Sequence, residues 1–220
     1  MRKIEFAARP EAISEKFCRD AGGFSWQDFV TAIPSPVFLV TGYKPNGREN
    51  ACLQSWASFV GGGTDEFICL MPMSGGGHMA ESLRRTGVCA LNFPSVEIYP
   101  KCVKTIGNNR YEADEITASG LTAEPCVRID APRVGECFLN IECALIWERE
   151  LYGGSALSVA ALRAVHVSMD EERFDHEKLG RYGDAGYLYQ IHNPMNPLTG
   201  ELYAVGAGTI RAGEPFEWNP

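Results

Sequence analysis

The stretch from Pro34 to Phe59, PSPVFLVTGYKPNGRENACLQSWASF, decides how this chain of 220 residues folds. Two apolar, β-rich runs, 37–43 and 50–60, flank a Pro45-Asn46-Gly47 turn. Asn and Gly both tolerate positive φ, so Asn-Gly between such runs predicts a hairpin. The second run is unusual for a buried strand, because Asn50, Cys52, Gln54, Ser55 and Ser58 sit among its apolar residues with Trp56 in the middle. Two readings stay open. Such a strand can present its backbone and hydroxyls to a ligand, or it can lie half exposed with its polar residues facing water.

Outward from this hairpin the pattern remains β-rich. Strands are predicted at 37–43, 49–60, 66–71 and 88–93, then two long ones at 136–151 and 156–169, joined across Gly153-Gly154-Ser155. Gly75-Gly76-Gly77 leads into a short helix over 78–85, which Gly87 ends as a C-terminal glycine does. The segment 95–105 reads as helix or turn. Residues 107–132 read as mostly loop, with turn residues at Asn108-Asn109, Gly120 and Pro125. Around this core (34–172) lie an N-terminal extension, 1–33, with a short helix over 11–19, and a polar, Gly- and Pro-rich C-terminal arm, 173–220. The expectation is one structural domain with two arms, the second packed over the core or onto a partner.

Composition bounds the function. With 45% hydrophobic residues the chain can fill a sizeable single core. A net charge of −8 argues against nucleic acid, whose backbone requires clustered Lys and Arg. No apolar run reaches the roughly 18 residues that span a bilayer. Met1-Arg2-Lys3-Ile4-Glu5 offers no apolar signal core, so a cytoplasmic protein is expected. The eight cysteines (Cys18, Cys52, Cys69, Cys89, Cys102, Cys126, Cys137 and Cys143) show no C-x-x-C spacing, and most fall in apolar strands where a free thiol acts as a small hydrophobe. Cys102 stands out because Lys101 and Lys104 flank it, and nearby positive charge lowers a thiol pKa. No two histidines have metal-ligand spacing, so no metal is assigned. His166 reads as a strand residue, His176 as solvated, and the stretch holding Tyr187, Tyr189 and His192 as packing.

Three stretches together resemble the flavin reductase-like family, with flavoredoxin-type members as the best match. The first is the Pro-x-Pro strand, the Asn-Gly turn and Asn50-x-x-x-x-Ser55-Trp56. The second, Thr86-Gly87-Val88-Cys89-Ala90-Leu91-Asn92-Phe93-Pro94-Ser95, is similar to the family's Thr-Gly-x-Phe-x-(Val/Ile)-Asn-x-Pro. The third, Cys102-Val103-Lys104-Thr105-Ile106-Gly107, resembles its Gly-Val-Lys-Ser-Gly. Their order and spacing cover roughly 34–170 of the chain. The resemblance implies a mainly β fold with short helices, an FMN-binding split β-barrel of Greek-key type. It also implies noncovalent FMN, NAD(P)H as electron donor, and a homodimer with the flavin near the subunit interface.

Residue roles carry over from the same resemblance. The segment Leu53-Gln54-Ser55-Trp56-Ala57-Ser58 matches the one that meets the flavin's pyrimidine edge, Trp56 the aromatic beside the ring, and Asn50 a position that touches the cofactor. Relatives often carry Arg or Lys, then Ser or Thr, just before the short helix; here the stretch is Met71-Pro72-Met73-Ser74-Gly75-Gly76-Gly77-His78-Met79. Glycine amides and a helix N-terminus suit a phosphate, with Ser74 and His78 as further donors and Met79 beside them. The missing basic residue leaves Lys104, Arg84 or Arg85 to supply charge. A second departure is Gly61-Gly62-Gly63-Thr64 in place of Pro-Pro. No catalytic acid or base is assigned, since hydride transfer to a flavin depends on close stacking. The expected activity is electron transfer from NAD(P)H through FMN to free flavin, a protein partner or a small acceptor. A flavoredoxin-like FMN carrier without a nicotinamide site, or a cofactor-free interaction module, are the alternatives.

Overall fold

The structure is a computed structural model that describes residues 3–15, 25–63, 65–174, 186–190, 196, 198–199, 201 and 207–210. The elements begin with helix α1 (Trp26–Thr31), then β1 (Ser35–Pro36), β2 (Phe38–Tyr43), β3 (Glu49–Gln54), β4 (Ser58–Gly62) and β5 (Glu66–Ser74). Helix α2 (His78–Thr86) precedes β6 (Val88–Phe93), followed by α3 (Tyr99–Gly107), α4 (Glu115–Ala118), β7 (Ala123–Pro125) and β8 (Pro132–Val134). The long strands β9 (Leu139–Glu150) and β10 (Leu157–Met169) follow, with β11 (Tyr187–Gln190) and β12 (Ala207–Ile210) after them.

Seven strands form the main sheet, in the order β3-β2-β6-β9-β10-β5-β4. Strands β3 and β4 follow one another in the chain yet stand at the sheet's opposite edges. The Asn-Gly hairpin forms as predicted: Lys44 N–H donates to Arg48 O at 2.8 Å, and Gly47 takes the positive φ of 79° that the turn needs. In β10 and β9 the register shifts after Ala161 and again after Ala164, bulges that bend a long ladder. A curled sheet with an unsealed seam is a split β-barrel, the mainly β fold the sequence implied.

β2 shows why the core sits where it does. Phe38, Leu39 and Val40 are all fully buried, so this strand is covered on both faces. Phe38 and Val40 join the barrel interior with Met71, Leu83, Leu91 and Leu162. Leu39 turns outward to Ala51, Cys102, Ile116, Leu121 and Val134, beneath α3 and α4. Each such side chain contributes about 1.5–3 kcal/mol on burial. The sequence reading of 107–132 as mostly loop misses α4, a single turn whose Ile116 is wholly buried. The segment 95–105, read as helix or turn, holds both: a turn at 96–98 and then the helix α3 from Tyr99.

The contacts divide the chain into two compact units, Pro36–Leu188 with Thr209–Pro220, and Met1–Ser35 with Tyr189–Gly208. In the second, Ser25 and Asp28 form a capping box at the start of α1, and Ile13 is buried with Trp26 and Phe29. Of the helix expected over 11–19, residues 11–13 form turn and bend, Ser14 has no regular structure, Glu15 is helical, and 16–19, Cys18 included, lie outside the described residues, as do His176 and His192. No described helix is long and apolar enough to cross a membrane.

Candidate functional site

The predicted strand 49–60 is two strands with a corner between them. Ser55, Trp56 and Ala57 leave the ladder, and Trp56 adopts φ 59°. Here the chain steps from the edge strand β3 to the opposite edge strand β4. The interior-facing positions change parity across this step, from Cys52 on β3 to Ala57 and Phe59 beyond the corner, while Ala51 and Leu53 face the second cluster. A bulky residue in the left-handed region is strained by about 1–3 kcal/mol. Gln54 Nε2 donates across the seam to Pro72 O at 3.3 Å, which ties β3 to β5 beside the corner. Ser55 and Ala57 are buried, Leu53 and Gln54 half-buried, and Ser58 exposed, while Trp56 keeps 40% of its surface in solvent.

The second half of the site starts where β5 ends at Ser74. Gly75 N–H donates to Ala156 O at 3.1 Å and Gly77 N–H to Ser74 O at 3.2 Å, which folds the glycines into a turn. Gly77 caps α2 without a side-chain acceptor, so the helix's first-turn amides receive no capping oxygen. A Cβ on Gly76 would meet nothing within 4 Å, so one side of the turn is open. Ser74 is exposed, His78 half-buried and Met79 buried. Asn50, itself buried, donates from Nδ2 to Ser82 Oγ at 3.1 Å and so binds β3 to α2.

The basic residues are disposed differently from the sequence's expectation. Arg84 forms a bidentate pair with Glu148 (2.7 and 2.6 Å) and donates to Gly75 O at 2.8 Å. That pairing holds the Glu148 carboxyl below its usual range. Arg85 donates to the Tyr43 and Lys44 carbonyls at the far end of α2, roughly 10 Å along the axis from His78. Lys104 lies on the exposed side of α3, and among the described residues no hydrogen bond or ion pair joins it to the glycine turn. Gly61 and Gly62 extend β4, Gly63 turns at φ 72°, and Thr64 falls outside the described residues.

A buried charge cluster behind His78 was not foreseen. Lys44 and Glu115, both fully buried, pair at 2.9 Å. Lys44 Nζ also donates to the carbonyls of Arg110 (2.8 Å), Tyr111 (3.3 Å) and Ala113 (2.7 Å), and Glu115 Oε2 accepts Ala51 N–H at 2.9 Å. Glu115 Oε1 lies 3.7 Å from His78 Nδ1. Lys44 beside Pro45 looks like an ordinary turn lysine and Glu115 like a surface acid, so neither carries a local signal.

The thiols follow the burial reading, Cys102 among them. The seven described cysteines are free. Burial pushes the Cys52 thiol up to about 11 and those of Cys69, Cys102 and Cys126 up to about 12. Cys102 is fully buried, and desolvation outweighs the small lowering from Lys101, which overturns the expectation of an activated thiol.

A curled seven-stranded sheet, unsealed between β3 and β4, with a corner and an uncapped helix beside the gap, defines the class as a split-barrel domain. Residues 30–188 match the flavin reductase like domain, and the chain belongs to that family. The fold is similar to flavoredoxin of Desulfovibrio vulgaris (Miyazaki F), with 22% identity, TM-score 0.64 and coverage of 82% of this chain and 91% of that one. It is also similar to nitrilotriacetate monooxygenase component B from Bacillus cereus, with 18% identity, TM-score 0.72 and coverage of 99% and 100%. An uncharacterized protein of Methanothermobacter thermautotrophicus is 26% identical over 139 residues, 61% of this chain, and the match spans 62% of that relative's length.

Proposed function

We propose that this chain binds FMN noncovalently at the seam and passes electrons from NAD(P)H through it to free flavin, a protein partner or a small acceptor. One arrangement carries the reading: Gln54, next to the strained, half-exposed Trp56 corner, bonds to Pro72 on β5, the strand that runs into the glycine turn and the uncapped start of α2. The donor set fits a phosphate, since open first-turn amides, Ser74 and His78 all lie beside a turn with free space at Gly76. The backbone of Leu53–Ser58, freed from the ladder at the Trp56 corner, offers N–H and C=O groups to the pyrimidine edge, with Ala57 and Met79 as apolar neighbours and Trp56 beside the ring. Lys104, exposed on α3 and in no ion pair among the described residues, is assigned to the phosphate. FMN, when bound, supplies the hydride and electron chemistry. The chain's own part is to hold it oriented and partly shielded from water.

Two further proposals accompany this one. Val60, Phe67, Ile146, Val165 and Val167 on β4, β5, β9 and β10 are each at least 40% exposed, apolar surface that a second copy of the chain would cover. The second is a cytoplasmic location, which the acidic composition, net charge −8, fits.

The test is the visible spectrum of the purified protein, repeated anaerobically with NADH and with NADPH. Bands near roughly 370 and 450 nm, the flavin's own, establish a flavoprotein. Bleaching by a nicotinamide supports the reductase, and a flavin that no nicotinamide bleaches indicates an electron carrier. A colourless protein that takes up no added FMN defeats both and leaves the interaction module. Lys104→Ala is expected to weaken FMN much more than riboflavin, and equal losses would remove Lys104 from the phosphate site.

A further inference from the structure

His78 sits between two environments. Its Nδ1 is buried and has no hydrogen-bond partner, while 28% of its side chain reaches solvent. Facing Nδ1 at 3.7 Å is Oε1 of Glu115, a distance beyond a hydrogen bond but within strong reach of a charge. The carboxylate itself is fixed, with Lys44 on Oε1 and Ala51 N–H on Oε2, and it is wholly shielded from water. The other groups near the imidazole are Lys44, which reaches the same Oε1, the Tyr111 ring edge-on at 5.6 Å, and Glu81 one turn along α2. The Asp114–Arg48 pair flanks Glu115.

We infer that Glu115 is a positioning residue that fixes the His78 proton on Nδ1, so that phosphate binding at the α2 N-terminus requires a second proton on Nε2. The inference rests on the FMN reading above and deepens it. A lone pair on Nδ1 would face a carboxylate oxygen with no donor between them, which is repulsive; an N–H there is attractive. The neutral ring is therefore the Nδ1–H tautomer, with an Nε2 lone pair turned away from Glu115. A lone pair cannot donate to a phosphate oxygen. Nε2 becomes a donor only when the ring takes one proton from solvent and turns cationic. That cation then stands where the glycine turn lacks a basic residue. FMN binding is thus coupled to the uptake of one proton, and riboflavin binding is not.

Three measurements test this. First, 15N-detected histidine NMR on the flavin-free wild type reads the tautomer directly at alkaline pH. A predominant Nδ1–H form is expected, and a predominant Nε2–H form overturns the inference whether or not flavin binds. Second, calorimetric titration in buffers of different ionisation heats compares FMN with riboflavin. FMN is expected to take up about one more proton than riboflavin, with its affinity falling by up to roughly tenfold per pH unit as pH rises. His78→Gln isolates the phosphate's own ionisation near pH ~6, which acts in the opposite sense. An identical pH profile in wild type and His78→Gln sinks the proposal. Third, Glu115→Gln releases the tautomer and is expected to abolish the excess proton uptake, and the double variant Lys44→Met/Glu115→Gln guards against misfolding of the single one. Retention of the full uptake in the double variant overturns the role of Glu115. A wild type that binds neither flavin defeats the FMN reading alone, because the NMR result still decides the tautomer.

Discussion

Around Asn92 the protein answers each buried polar group with another of its own, whereas around Trp56 and His78 it leaves strain and open donors. Asn92 Nδ2 donates to Leu39 O (3.1 Å), Thr41 Oγ1 (3.0 Å) and Ala90 O (3.2 Å), and its Oδ1 accepts Val134 N–H and Asn140 Nδ2, both at 2.9 Å. Nearby, the buried Glu142 carboxylate accepts the amides of Val127, Arg128 and Ile129 at 2.7, 2.7 and 3.2 Å. These bonds lock β2, β6, β8 and β9 in one register. At the seam, by contrast, a bulky residue holds a left-handed φ, a helix starts without a cap, and an imidazole nitrogen is buried without a partner. One side of the barrel specifies the fold, and the other keeps groups in reserve for a ligand.

The largest effect is expected at Lys44, the buried cation behind His78. Lys44→Ala leaves the Glu115 carboxylate buried without its cation, and a loss of about 3–5 kcal/mol is expected from urea unfolding. Lys44→Met with Glu115→Leu recovers most of it; a double variant no better than Lys44→Ala would show that the pair is not the cause. Next in size is Asn92→Ala, which orphans Val134 N–H and the Leu39 carbonyl among others, with an expected loss of about 2–3 kcal/mol. Flavin affinity should stay within a factor of about two, because no Asn92 bond reaches the seam. A large drop in affinity with little loss of stability would erase the distinction between the regions.

Alkali sharpens the same comparison from the core side. The folded pKa values of the thiols lie above the ordinary 9, so their protonated forms stabilise the fold below that pH. As pH rises from about 9 toward about 11–12, the unfolded chain loses those protons first, and each thiol removes about 1.4 kcal/mol of stability per pH unit. Denaturant midpoints measured from pH about 8 to 10.5 should therefore fall with increasing steepness. Below the denaturation point a thiol reagent should label little of the described set, Cys102 included. Rapid labelling of Cys102 in the native protein would contradict its burial.

What the sequence made legible follows the range of the signal. The hairpin at Asn46-Gly47, the helix stop at Gly87 and the β9–β10 pair rest on a few neighbouring residues, and they form as read. The break at Trp56 lacks the Gly, Pro or Asn-Gly that marks the hairpin, because the step between opposite sheet edges is set by distant strands. Lys44 and Glu115 are hidden for a related reason, since each looks like a solvated charge until distant segments close over it. Arg84 and Arg85 looked available for a phosphate, but Glu148 and the Tyr43 and Lys44 carbonyls already hold them. Asn50, Gln54, Ser74, His78 and Met79 fall on elements in mutual contact because strand order, not spacing, brings β3 to α2 and β5.

The smallest expected effect isolates the corner itself. Trp56→Ala and Trp56→Gly both remove the ring, so both lose its packing and both should weaken flavin binding to a similar degree. They differ in one respect. Alanine at φ 59° keeps the clash between Cβ and the following carbonyl, and glycine does not. At an ordinary extended position Ala is the more stable of the two by roughly 0.5–1 kcal/mol, because Gly loses more backbone entropy on folding. At Trp56 the order should invert, with Gly ahead by about 1 kcal/mol in paired denaturant midpoints. Inversion with equal flavin losses means that the strain holds the corner and the ring holds the ligand. An Ala variant at least as stable as the Gly variant would mean that the corner relaxes once the ring is gone, so the indole, not the crossing between edges, imposes the left-handed turn.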